Sequence, residues 1–268
     1  MTSKTKRLFA RVRSQVEQLA RATEEAKQSG PVLKYLAFAS RFRRYSFHNT
    51  MLIFSQKPEA THVAGYRTWQ KMGRYVRKGE KGIAILVPMK IKVGKEDDGE
   101  DDAEIVRFRT GYIFDVSQTE GEDLPEPSVL SDQDCSVELT EGLLDTAASK
   151  GIMVSFDKLP DGQYGVSKGE SIVISDTLQG ADRFSALAHE LAHELLHQDG
   201  KAKQVDHKTR EIEAETVAHV VCRHFDIPSS APTYLALHQA TADEIVSRLS
   251  NVVDAIQAIV SGVTQSIA

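Results

Sequence analysis

The chain has 268 residues, enough for two domains with separate hydrophobic cores. No run of about 20 apolar residues is present, which predicts no membrane-spanning helix, and two cysteines are too few for a disulfide framework, so we expect a cytoplasmic protein. Residues 1–92 carry 20 lysines and arginines against 5 acids, whereas residues 93–268 carry 13 against 33, a split that the net charge of −5 hides. The basic N-terminal part predicts a polyanion as a partner.

The first 92 residues predict helices followed by an extended segment. Apolar residues at a spacing of three and four, such as Phe9, Val12 and Val16, predict an amphipathic N-terminal helix. Gly30-Pro31 ends this helix, and further helical patterns follow. The predicted helices cover residues 1–28, 32–54 (as one or two helices) and 66–72.

An alternation of apolar and polar residues predicts a β-hairpin after these helices. Its strands are residues 81–92 and 105–116, and the acidic tip between them, residues 94–104, is expected to be mobile. Residues 118–132 contain two prolines and many acids, which predicts a domain boundary. The two predicted domains are residues 1–126, a small basic α+β domain, and residues 127–268.

Aromatic and basic residues alternate in the N-terminal part. Lysine and arginine neutralise phosphates, and exposed rings stack on unpaired bases, so the pattern predicts a groove for single-stranded DNA. No helix-turn-helix or zinc-finger signature indicates a duplex reader. The alternative is that rings such as Phe42, Phe54, Trp69 and Tyr75 form the core of the domain. The predicted DNA-binding residues are Arg41, Arg43, Arg44, Tyr45, His48, Asn49, Arg67, Trp69, Lys71, Arg74, Arg77, Lys78 and Lys81.

The C-terminal part predicts a short antiparallel sheet packed against helices. Residues 171–175 are a predicted edge strand that would hold a substrate backbone, and residues 164–167 pair with it through a turn at Lys168-Gly169. A helix is predicted from Asp182, as its N-cap, to His197. The remaining predictions are a strand over residues 152–156 and helices over 137–149 and 208–225, from 231, and from 243 to the end.

The segment His189-Glu190-Leu191-Ala192-His193 has the pattern H-E-x-x-H within the first of these helices. Residues four apart lie on one helix face, so both imidazoles can bind one metal ion from the same side. Glu190 lies one position round and can act as general base on a water held by the metal. The pattern is typical of zinc peptidases of the zincin class and predicts Zn²⁺ as the cofactor. The alternative is an amphipathic helix with two partly exposed histidines.

A catalytic zinc site needs a third protein ligand and an open position for water. The following helix offers Glu211 and Glu215 on one face and Glu213 roughly opposite. We assign Glu211 to the metal and Glu215 to orienting a ligating histidine, with Glu213 as the rival third ligand. His197 extends the histidine face by one turn and is interpreted as a supporting or packing residue rather than a ligand.

Together these residues resemble the ArdC-type antirestriction proteins, which have an N-terminal domain that binds single-stranded DNA and a C-terminal zincin of the ImmA/IrrE-like kind. Related zincins carry Glu-x-x-Ala-acid in the second helix with the first Glu on zinc, so the resemblance implies Glu211 rather than Glu213 as the ligand. One departure is Phe47-His48, where family members often have Trp-Gly. The resemblance covers most of the chain, and its matching stretches are residues 45–49, 63–69, 76–85, 114–121, 189–193 and 211–215.

The resemblance implies a protein carried by mobile DNA that shields incoming single strands from host restriction. Three hypotheses follow: a zinc peptidase directed by a DNA-binding domain, a coating protein whose zinc site is not catalytic, and a regulatory peptidase that cleaves a DNA-bound repressor. We also expect the acidic loop to compete with DNA for the basic groove. Tyr234 and His238 are candidates for polarising a scissile carbonyl, with a surface position as the alternative.

Overall fold

The computed structural model describes residues 2–26, 30–42, 44–93, 103–124, 135–197, 205–229 and 242–267. The helices are α1 (Ser3–Ala26), α2 (Gly30–Arg41), α3 (Phe47–Gln56), α4 (Tyr66–Lys71), α5 (Cys135–Ser149), α6 (Gly180–His197), α7 (His207–His224) and α8 (Ala242–Ser266). The strands are β1 (Val63–Ala64), β2 (Arg74–Val76), β3 (Ile83–Val93), β4 (Ala103–Asp115), β5 (Thr119–Gly121), β6 (Met153–Asp157), β7 (Gly165–Ser167) and β8 (Ser171–Ser175). The helix predicted from residue 231 and the acidic residues 94–102 lie outside the described residues.

The chain divides into two compact units. The first contains residues 1–16 and 48–125, and the second contains residues 17–47 and 126–268. The sequence places residues 17–47 in the N-terminal domain, whereas the structure groups them with the second unit. The reason is that α2 packs on α7 and α8. The Gln257 side chain also donates hydrogen bonds to the carbonyl of Ala39 in the last turn of α2 and to those of Phe42 and Tyr45 just after it.

In the first unit, β3 and β4 form the predicted hairpin, in register from Ile83 opposite Ile113 to Val93 opposite Ala103, and β1 pairs with the far side of β4. Helix α3 lies along the outer edge of β3. The Asn49 side chain bonds both the N–H and the carbonyl of Leu86, at 2.9 Å each, and Gln56 does the same for Ala84, at 3.0 Å each. The two amides therefore take the place of a neighbouring strand at this edge.

The turn after β4 is organised by the buried carboxylate of Asp115. Its oxygens accept hydrogen bonds from the N–H groups of Thr61 (2.8 Å), His62 (3.2 Å) and Ser117 (2.9 Å), and Gln118 completes a capping box. Burial alone would raise the pKa of Asp115, but these hydrogen bonds together lower it by more. The pKa of Asp115 therefore lies below its ordinary value. The sequence around Asp115 thus serves the fold of the first unit.

In the second unit the sheet order is β6-β8-β7, with β6 parallel and β7 antiparallel to β8. The prediction that residues 171–175 form an edge strand is therefore wrong, because β8 pairs on both sides, and β6 and β7 are the outer strands. Helix α6 starts at Gly180 rather than after Asp182, which lies in its first turn. The predicted α+β class is confirmed. No helix among the described residues has the length and hydropathy to cross a membrane.

Candidate functional site

The predicted metal ligands lie on two packed helices of the second unit, α6 and α7. Helix α6 buries Phe184, Leu187 and Leu191 in the core, and its histidine face is only half-buried. Helix α7 starts at a defined place because the N-cap Asp206 accepts a hydrogen bond from the N–H of Thr209 at 3.0 Å. This start puts Glu211 in the second turn of α7, opposite the histidines.

The side chains of His189, His193 and Glu211 converge, with one donor atom from each within 4.8 Å of the others. The two Nε2 atoms are 3.1 Å apart, and the Glu211 carboxylate oxygens lie 3.5 Å from His189 Nε2 and 3.4 Å from His193 Nε2. Ligands at about 2.0–2.1 Å from a tetrahedral zinc ion are about 3.4 Å from one another. The donor set and its spacing therefore fit a tetrahedral divalent metal with a fourth position left over.

Burial shapes the electrostatics of these groups. It lowers the pKa of His189, and it lowers the pKa of His193 to about 4 with help from the neighbouring His189. Near pH 7 both imidazoles are neutral, which is the form that binds metal ions. Burial, followed by the charge of Glu211, raises the pKa of Glu190 to about 7, a value suited to accepting and returning a proton.

His189, Glu190 and Glu211 line a cleft of about 890 Å³. Gly165 on β7 is part of its wall, and a Cβ atom there would lie 2.6 Å from Cγ of Glu190, so glycine allows the strand to approach this side chain. Glu215 and His219, on the following turns of α7, also line the cleft. The charge of Glu215 favours the protonated form of His189, and the orienting role of Glu215 stays a prediction.

Glu213, the rival third ligand, points away from the histidine pair. It is 5% exposed, accepts a hydrogen bond from Arg248 Nε at 2.8 Å and lies 3.8 Å from His197 Nε2. His197 is itself buried, with its Nε2 3.3 Å from the carbonyl oxygen of Arg210. Glu213 and His197 therefore connect α6, α7 and α8 behind the site, and Tyr234 and His238 lie outside the described residues.

Several residues predicted to bind DNA instead form hydrogen bonds within the first unit. Trp69 is 2% exposed, and its indole N–H donates to the Phe114 carbonyl. Arg74 is buried and bonds Thr119 Oγ1 and the carbonyls of β5 and of Glu122. Arg77 also donates to backbone carbonyls and pairs with Glu80. With Asn49 bound to β3, these side chains hold the unit together, which matches the core alternative for Trp69.

The other predicted DNA-binding residues differ in exposure and position. His48 is half-buried against the Phe9 ring, and burial lowers its pKa. Arg67, Lys71, Lys78 and Lys81 are exposed on the first unit. Arg43 lies outside the described residues, and the remaining predicted residues, Arg41, Arg44 and Tyr45, belong to the second unit.

Two features of the site have no counterpart in the sequence analysis. Glu194, one turn after Glu190, is buried against the β7–β8 turn. Its spacing of four from Glu190 is the only sequence signal, and it is equally typical of a solvated helix face.

His219 lines the cleft with its Nδ1 2.8 Å from Ser229 Oγ. In the sequence, only its position eight residues after Glu211 indicates that the two residues share a face of α7.

Protein-family models match both parts of the chain. Residues 3–116 match the N-terminal domain of the anti-restriction factor ArdC, and residues 147–254 match the IrrE N-terminal-like domain of the peptidase M78 family. The second match covers His189, His193 and Glu211. It indicates a metallopeptidase-type domain, in keeping with the converging donors.

The chain also matches two solved structures and a curated relative. The metal-free crystal structure of antirestriction protein ArdC from the R388 plasmid matches with a TM-score of 0.55 and 16% identity, over 96% of this chain and 97% of that chain, which shows a shared fold. The Mn(II)-bound structure of ArdC from R388 matches with a TM-score of 0.47 and 17% identity, over 87% and 98%. An uncharacterized Bacillus anthracis protein is 25% identical over 244 residues, which are 74% of this chain and 41% of that relative's length.

Proposed function

We propose that this chain, which belongs to the ArdC-type antirestriction proteins, is a zinc-dependent peptidase that also binds single-stranded DNA. The observation that carries the peptidase proposal is the convergence of His189, His193 and Glu211, with His189 and Glu211 lining one cleft together with Glu190. Two histidines and one glutamate are a ligand set of catalytic zinc sites in peptidases, so zinc is the metal we propose.

The chemistry is peptide hydrolysis with Glu190 as the proton carrier. A divalent metal held by the three ligands would lower the pKa of a bound water and polarise the substrate carbonyl. Glu190 accepts the proton of the attacking water and returns it to the leaving amine, and its pKa of about 7 suits both transfers. Strand β7 is an outer strand of its sheet and flanks Glu190, so an extended peptide can bind there as the next strand.

The test is cleavage of a quenched fluorescent peptide library by the zinc-loaded full chain and by Glu190→Gln. We expect the variant to bind zinc as the wild type does and to lose cleavage, because glutamine cannot accept the proton. Glu138→Gln, on the exposed first turn of α5, is the matched control and should cleave normally. A Glu190→Gln protein that still cleaves would contradict the assignment.

The DNA-binding proposal is supported by an exposed basic and aromatic surface on the first unit. Tyr66 and Tyr75 are 49% and 54% exposed, on α4 and on β2, which pack on each other. Arg67, Lys71 and Lys78 are exposed on or next to the same elements. Rings that stack on bases, beside cations that pair with phosphates, suit a single strand.

Fluorescence anisotropy with matched single- and double-stranded oligonucleotides across a salt series tests this surface. The full chain is the right sample, because residues 17–47 pack with the second unit and a fragment of residues 1–126 would separate them from it. We expect tighter binding of the single strand, weakening steeply with salt. Equal binding of the duplex, or no binding, would contradict the proposal.

The biological role we propose is protection of incoming mobile DNA, with cleavage of a protein target as part of it. The alternatives are coating of the strand alone and cleavage of a DNA-bound repressor. Protection assays in cells with Glu190→Gln separate them, because coating needs no proton transfer. Full protection by the variant would favour coating, and a protein fragment that appears only with Glu190 would identify the target.

A further inference from the structure

Glu194 is a buried carboxylate one turn beyond Glu190 on α6, with 7% of its surface exposed. One oxygen accepts hydrogen bonds from Ser167 Oγ at 2.6 Å and from the N–H of Gly169 at 3.0 Å. The other accepts one from the N–H of Glu170 at 2.9 Å. A buried carboxylate is unfavourable unless it is hydrogen-bonded, and these three donors satisfy it.

The turn that Glu194 contacts has an unusual backbone. Gly169 and Glu170 have φ angles of 80° and 58°, and Lys168 closes the hairpin by donating to the Ser171 carbonyl at 2.9 Å. Two successive residues with positive φ form the tight turn that suits the twist of a two-residue hairpin. Glutamate rarely adopts a positive φ, so a carboxylate that binds both N–H groups stabilises this conformation.

Ser167 connects this turn to the candidate catalytic base. Its hydroxyl donates a hydrogen bond to the Glu194 carboxylate. Its backbone forms a hydrogen bond with Glu190, which lowers the pKa of Glu190, although burial raises that pKa by more. Gly165, two residues earlier, lies against the Glu190 side chain. Glu190 and Glu194 are four apart and share one face of α6, so both contact β7 from the same side.

We propose that Glu194 is a positioning residue that fixes β7, the outer strand at the cleft, at its distance from Glu190. It acts through Ser167 and through the turn at Gly169 and Glu170, and it does not touch the substrate. The inference rests on the proposed peptidase function, because its consequence is where an extended peptide lies relative to the metal ligands.

The experiment compares two probes on the zinc-loaded full chain by calorimetry. Acetohydroxamate reaches only the metal centre, whereas a tripeptide hydroxamate also lies along β7. Glu194→Ala and Ser167→Ala should weaken the tripeptide probe by about tenfold or more, since a small displacement of a positioning element has effects of this size. Both variants should leave zinc and acetohydroxamate affinity within about twofold of the wild type. Glu170→Gln, which changes an exposed carboxylate in the same turn and keeps its N–H, is the control.

Equal weakening of both probes would overturn the proposal, because Glu194 would then support the metal helix instead of β7. Unchanged binding of both probes would overturn it too. Failure of the peptidase proposal gives a different result, a wild type that binds the tripeptide probe no better than acetohydroxamate. In that case we measure amide hydrogen exchange in Glu194→Gln. Faster exchange at Gly169 and Glu170, with unchanged zinc affinity, supports the positioning role. Unchanged exchange at these two residues overturns it.

Discussion

The candidate metal site and the basic surface are both predicted from residue types, and they differ in where the fold places those residues. At the candidate metal site, His189, His193 and Glu211 bring their donor atoms within 4.8 Å of one another. On the first unit, residues of the same predicted surface separate into two groups. Trp69 and Arg74 are buried and hydrogen-bonded, while cations such as Lys78 are exposed.

The two regions differ in how far apart along the chain the interacting residues are. Two histidines four apart on one helix share a face whatever the rest of the fold does. The direction of Trp69, in contrast, is decided by a hydrogen bond to Phe114, 45 residues away. Tyr75 sits six residues after Trp69 and is 54% exposed. Composition alone therefore predicts the residues of a nucleic-acid surface less accurately than the H-E-x-x-H spacing predicts two histidines on one helix face.

The largest expected effect separates the two candidate third ligands. Glu211→Gln should lower zinc affinity by more than about 100-fold, because losing a ligand costs more than losing a residue behind one. Glu213→Gln should leave zinc affinity within a few-fold but lower the free energy of unfolding, since Arg248 would lose its carboxylate partner. Chelator competition and urea unfolding measure the two quantities. The opposite pattern would make Glu213 the ligand.

A second pair of variants divides the aromatic residues of the first unit. Trp69→Ala should destabilise the protein by about 3–5 kcal/mol, because it leaves a cavity in the core. Tyr75→Ala should leave the unfolding midpoint nearly unchanged and weaken single-strand binding by about 1–3 kcal/mol, the range for one stacked base. Thermal unfolding and anisotropy test both. Weaker DNA binding by a folded Trp69→Ala protein, with Tyr75→Ala unaffected, would reverse the division.

A third pair of variants separates a buried cation of the first unit from an exposed one. Arg74→Ala removes donors from several buried carbonyls and should cost about 1–3 kcal/mol of stability. Lys78→Ala should leave stability unchanged and reduce the salt dependence of single-strand binding by about 0.7 in the log–log slope, as expected for one lost phosphate contact. A Lys78→Ala protein with an unchanged slope would remove this residue from the surface.

The smallest effect concerns the pH dependence of the first unit. Because the pKa of Asp115 is depressed in the folded protein, its contribution to stability is complete above its ordinary pKa of about 3.9 and is lost as pH falls through the lower folded value. Asp115→Asn should lower stability near neutral pH and flatten the loss of stability in acid. Unfolding curves collected from pH 6 to pH 2 compare the two proteins, and parallel acid profiles would contradict this role.

The longer helices and strands are predicted from the sequence because their patterns are local, whereas the short strands β1, β2 and β5 are not predicted. The β3–β4 hairpin and the H-E-x-x-H helix follow from periodicity alone. Features that depend on partners distant in the chain were missed. Residues 171–175 form a central strand because β6 pairs in parallel with them, and residues 17–47 join the second unit through α7 and α8. The role of Glu194 has no distinctive signal in the sequence, because its three donors come from β7 and the turn after it, more than 20 residues away.

A crystal structure of the zinc-loaded protein, with the metal located by anomalous scattering, tests the central claim most directly. We predict one zinc ion bound by Nε2 of His189, Nε2 of His193 and the carboxylate of Glu211, with a fourth position open to the cleft beside Glu190. Zinc bound elsewhere, or held by four protein ligands with no open position, would contradict a catalytic metal centre.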